Sequence, residues 1–112
     1  MKKTILSGLL ITLISLFSGC SGPSPWSGVP FEEAKEWRSI GVHANAAKYL
    51  RANGFTMYDA KPWIQSGIYN PKTITEWHRA GFEPFEASQW MEKKFSLKRA
   101  IEMKRQGLTI QR

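Results

Sequence analysis

Cys20 is the only cysteine in the chain, and its thiolate is an intrinsically strong nucleophile. A lone thiol has no partner for an intramolecular disulfide, and no cysteine-rich metal site can be built around it. Other side chains able to do chemistry are sparse. His43 and His78 are the two histidines. To bind a metal they would have to approach closely and recruit further ligands. His43 follows an expected helix stop. His78 stands beside an expected core tryptophan, on the exposed side, so neither suits a metal or acid–base role. Glu32, Glu33 and Glu36 fall where a first helix should open, and carboxylates there complement the helix dipole. No GxSxG, HExxH, P-loop or dinucleotide fingerprint occurs. The expectation is no catalytic residue, no metal and no cofactor. The chain reads as a non-enzyme whose only chemically distinctive position is Cys20.

The segment that delivers Cys20 is legible. Lys2 and Lys3 form a positive start that favours the cytoplasmic side. An apolar run of 13 residues follows, Ile5 to Phe17, interrupted by Ser7, Gly8, Thr12 and Ser15. As a helix it would rise roughly 20 Å, short of a hydrocarbon core of about 30 Å. That length suits a secretory signal. The run closes on Leu16-Phe17-Ser18-Gly19-Cys20.

This string resembles the lipobox of bacterial lipoproteins, with Phe17 in the place three before the cysteine where Leu is usual. The resemblance implies cleavage before Cys20, a thioether-linked diacylglycerol on its sulfur and an acyl chain on its new amino group. Two or more chains anchor stably, at about 0.8 kcal/mol per buried methylene. Ser21 follows, not Asp. In an enteric-type Gram-negative cell this implies the outer membrane, and in a Gram-positive cell the plasma membrane. The expected organisation is a signal peptide over 1–19, lipidated Cys20 with a Pro/Gly/Ser tether over 20–30, and one domain over 31–112.

Self-similarity shapes that domain. Trp37, Leu50, Trp63, Trp77, Trp90 and Met103 are spaced by 13, 13, 14, 13 and 13 residues. Three residues before each stands Ala34, Ala47, Ala60, Ile74, Ala87 or Ala100. Four residues after each stands Gly41, Gly54, Gly67, Gly81, Lys94 or Gly107, followed by Val42, Phe55, Ile68, Phe82, Phe95 or Leu108. The unit reads A-x-x-W-x-x-x-G-F. Ala and Trp three apart share a helix face. Glycine four residues past Trp suits the left-handed position that ends a helix, and the next apolar residue can fold back on the Trp. Each unit is then a helix of two to three turns. Such helices are unstable alone and must stack on neighbours. The fold class is therefore all-α, a small bundle of about six short helices. Lys94 breaks the glycine rule, so either strain is accepted there or the fifth helix ends differently. Pro30, Pro84 and Ser96 mark helix starts.

The tryptophans invite two readings, a stacking platform for glycans or a repeat core, and the phase of Trp37, Trp63, Trp77 and Trp90 favours the core. Trp26 lies outside the phase. The formal charge is +7, and loss of Lys2 and Lys3 leaves 14 basic side chains against 9 acidic, near +5. Lys93, Lys94, Lys98, Arg99, Lys104 and Arg105 concentrate that charge at the end. They form either a solvated face or a contact for anionic headgroups. Nucleic acid suits the charge but not the export. The leading expectation is a lipid-anchored, non-enzymatic module that binds another envelope protein. The alternative is a lipoprotein binding an anionic or glycan envelope polymer, such as peptidoglycan or lipopolysaccharide.

Overall fold

The computed structural model describes residues 24–108. Residues 1–23, which include the expected signal peptide and Cys20, and residues 109–112 lie outside the described residues. All regular structure within them is helical: α1 (Phe31–Ser39), α2 (Ala44–Ala52), α3 (Met57–Gln65), α4 (Pro71–Arg79), α5 (Pro84–Glu92) and α6 (Leu97–Arg105), each of nine residues. The all-α expectation holds, with one helix per 13- or 14-residue unit.

One ending recurs six times. The amide after the left-handed residue donates to the carbonyl of the Trp position: Val42 to Trp37 (3.1 Å), Phe55 to Leu50 (2.9 Å), Ile68 to Trp63 (3.0 Å), Phe82 to Trp77 (3.1 Å), Phe95 to Trp90 (3.0 Å) and Leu108 to Met103 (3.0 Å). The left-handed residue donates one carbonyl further on, as in Gly67 to Ile64 (3.0 Å). Together these are the two bonds of a Schellman motif. Lys94 takes the same role at φ 67° and donates to the Met91 carbonyl (2.9 Å). The fifth helix thus accepts strain and keeps the common ending.

Helix starts are more varied. Ser96 caps α6 through the Arg99 amide (3.2 Å). Pro84 opens α5 as its first residue, and Pro30 immediately precedes α1. Asn70 caps α4 by accepting from the Lys72 and Thr73 amides. Thr56 and Asp59 form a reciprocal capping box on α3. Their hydrogen bonds hold the Asp59 carboxyl below its ordinary pKa, chiefly through the Thr56 backbone N–H and then its hydroxyl.

Packing is strongest between alternate helices: α1 on α3, α2 on α4 and α3 on α5. The core is the in-phase set. Ala34, Ala47, Ala60, Ile74, Ala87 and Ala100 are buried, as are Trp37, Leu50, Trp63, Trp77 and Trp90. Val42, Phe55, Ile68 and Phe82 close over them. Trp77 meets Phe82 edge-on at 4.9 Å, and Trp90 meets Phe95 at 4.8 Å, as the Schellman geometry requires.

The stretch expected to be tether divides. Residues 24–29 form a turn, with the Ser27 amide on the Ser24 carbonyl (3.0 Å) and the Val29 amide on the Trp26 carbonyl (2.9 Å). Gly28 is left-handed at φ 90°, and Trp26 and Val29 pack half-buried on the core. Gly28 and Val29 stand 13 residues before Gly41 and Val42. Gly28 and Val29 thus take the glycine and apolar places of the repeat, although the Val29 amide donates three residues back and not five.

Candidate functional site

In α2, α4 and α6 the residue after the Trp position reaches the C-terminal turn of the unit two before it. Arg51 reaches the Gly28 carbonyl (3.5 Å). The His78 ring packs edge-on against Phe55 (4.9 Å) and Trp63 (6.2 Å). Lys104 Nζ donates to the Gly81 carbonyl (2.9 Å) and lies 4.4 Å from the Phe82 ring centroid. His78 is thus a packing residue with an exposed edge, and Lys104 couples the last helix to the array. Three unlike side chains share this task, which hides it from a reading by residue type.

The six basic residues at the end fall into two groups. Lys104 pairs with Glu86 (3.0 Å), and Arg105 pairs with Glu102 (3.3 Å). Lys93 and Lys94 sit on the turn after α5, and Lys98 and Arg99 sit on the first turn of α6. Lys93, Lys94, Phe95 and Arg99 line a shallow hollow of about 240 Å³, with the Arg99 guanidinium 5.5 Å from the Phe95 ring centroid. Among the described residues, no carboxylate pairs with Lys93, Lys94, Lys98 or Arg99.

A larger open cleft of about 630 Å³ lies among α1, α2 and the start of α3. Its walls carry Glu33, Glu36, Lys48, Arg51 and Tyr58, and its floor includes Phe55 and Met57. Glu33 forms an ion pair with Arg51 and accepts from the Trp37 indole (3.1 Å). The Tyr58 hydroxyl donates to Glu36 (3.3 Å). Lys48 is half-buried at the rim. The cleft therefore offers an apolar floor with charges of both signs, suited to a peptide-like surface. No motif or spacing in the sequence marks this cleft. Tyr58 precedes Asp59 of the capping box, and only the packing of α3 on α1 sets it against Glu36.

The phased indoles are not part of any open groove: Trp37 is fully buried and Trp63, Trp77 and Trp90 nearly so. The Trp90 Nε1 is buried without a hydrogen-bond partner among the described residues. Trp26 is half-buried, with the Arg38 guanidinium 5.6 Å from its ring centroid. Among the described residues, no group of three or more His, Cys, Asp or Glu side chains could hold a metal ion. No helix among them is long and apolar enough to cross a membrane.

Comparison with protein-family models, curated proteins and solved structures finds no match to this chain. The functional reading rests on the residues themselves.

Proposed function

We propose that the chain is a lipid-anchored protein of the bacterial cell envelope that acts as a protein-interaction module and catalyses no reaction. The anchor rests on the lipobox-like string ending at Cys20. On this reading the mature chain sits at the outer membrane of a Gram-negative cell or at the plasma membrane of a Gram-positive one.

One observation carries the choice of a protein partner. The phased tryptophans are committed to the core, so they offer a glycan no stacking platform. The most exposed aromatics are instead Phe31, Tyr58 and Tyr69, each about two-thirds exposed or more (72, 69 and 68%). Tyrosine and phenylalanine are enriched where proteins meet proteins. Tyr58 also borders the cleft with its mixed charges. The partner surface is therefore one that presents both an apolar knob and paired charges.

Crosslinking in the intact envelope followed by pull-down tests this. Recovery of one dominant protein, reduced in a Tyr58→Ala chain, is the expected result. Recovery of peptidoglycan or lipopolysaccharide fragments in its place would overturn the reading.

A further inference from the structure

The repeat breaks its own rules at one corner. Five helices place glycine at the left-handed position, with φ between 82° and 88°. The fifth helix places Lys94 there at φ 67°, a conformation that an L side chain adopts only under strain. The next helix goes further than any other in a second respect. Its first turn carries two basic residues, Lys98 and Arg99, where α4 carries Lys72 alone and α2 none, although positive charge opposes the dipole at a helix start. By contrast α1, α3 and α5 place Glu32 and Glu33, Asp59 and Glu86 in their first turns. A third departure is the lack of neutralisation. Lys104 and Arg105 have carboxylate partners, while among the described residues Lys93, Lys94, Lys98 and Arg99 have none. These three features share one product, four positive charges without a carboxylate partner among the described residues, of which Lys93, Lys94 and Arg99 line the Phe95 hollow. Local inconsistency of this kind concentrates at functional surfaces.

We infer that this corner docks on the anionic headgroups of the bilayer that holds the chain, an inference that rests on the membrane anchor proposed above. The dimensions permit it. Ser24, the first described residue, follows Cys20 by four residues, a reach of at most about 14 Å. Two helix-packing steps of about 8–10 Å separate α1 from α5 along their row. A body that short can lie along the bilayer with both ends in contact. Screening over about 8 Å at physiological ionic strength requires the corner to sit at the surface and not merely near it.

The test uses the full chain reconstituted in vesicles of phosphatidylcholine alone or of phosphatidylcholine mixed with phosphatidylglycerol. A membrane-impermeant amine-acylating reagent reports each lysine by mass spectrometry. Lys93, Lys94 and Lys98 are expected to react about fivefold or more slowly on the anionic vesicles, relative to exposed Lys35, Lys61 and Lys72. High salt should abolish the difference. A Lys94→Gly, Arg99→Gln chain should return Lys93 and Lys98 toward their rates on phosphatidylcholine. Lys94→Gly restores the residue that the other five helices use, so a folding defect cannot account for its effect. Equal rates on both vesicles would overturn the inference, as would protection that appears only when envelope proteins are added. Failure of the anchor itself looks different: the intact mass would lack acyl chains while any footprint difference persisted.

Discussion

Lys94 and Gly67 occupy the same place in two copies of one motif, so exchanging their residue types gives two opposed predictions. At Gly67, φ is +88° and an added Cβ would meet nothing within 4 Å. Gly67→Ala therefore costs only backbone strain, about 1–2 kcal/mol for an L residue in this region. The stiffer unfolded chain offsets about 0.5–1 kcal/mol of that. The net loss is about 1 kcal/mol. Lys94→Gly runs the cycle backwards and should gain about 0.5–1 kcal/mol. In a domain of this size each change moves the midpoint of thermal unfolding by roughly 4–8 °C per kcal/mol. Equilibrium unfolding in urea, followed by tryptophan fluorescence, measures both. A neutral Gly67→Ala chain, or a Lys94→Gly chain that is less stable than its parent, would refute the argument that left-handed geometry selects glycine in this repeat.

Trp37 and Trp90 differ in one bond: the first indole donates to Glu33, and the second has no acceptor among the described residues. Trp37→Phe should therefore cost about 1 kcal/mol more than Trp90→Phe in the same urea assay, and equal costs would contradict the assignment. Thr56→Ala should cost about 1 kcal/mol through loss of the α3 cap. Because Asp59 has a lowered pKa when folded, its contribution is complete above its unfolded value, about 4, and is lost as pH falls through the folded value. An Asp59→Asn chain should accordingly show a shallower loss of stability on acidification, read from unfolding midpoints across pH. Lys104→Met removes the half-exposed link to Gly81 and Glu86, worth about 1 kcal/mol after solvent screening. It should leave the vesicle footprint of Lys93 and Lys98 unchanged.

The helical units were readable because a Schellman ending ties three positions together by contact and hydrogen bond, so Trp, Gly and Phe recur at fixed offsets. Lys94 was not decidable from sequence, since strain and an alternative ending are both open to a lysine. The links between units were hidden for another reason. Arg51, His78 and Lys104 share a position but act by different chemistry, and only the stacking of alternate helices makes their role common. Residues 24–30 looked like tether because Pro, Gly and Ser dominate them. Yet Gly28 and Val29 were in phase with Gly41 and Val42, and extending the 13-residue count backwards finds the turn. The cleft beside Tyr58 depends on the crossing of α1 and α3, which no spacing within one unit encodes. Cys20 was legible throughout as a chemical position, because its place after a signal-like run does not depend on the fold.

The proposed anchor is tested most directly by the intact mass of the chain purified from envelope membranes. The account predicts a polypeptide that begins at Cys20 and carries a diacylglycerol and a further acyl chain, both absent when Cys20→Ser is expressed. A chain recovered at its full unprocessed mass, or a processed one with a free thiol at Cys20, would contradict it.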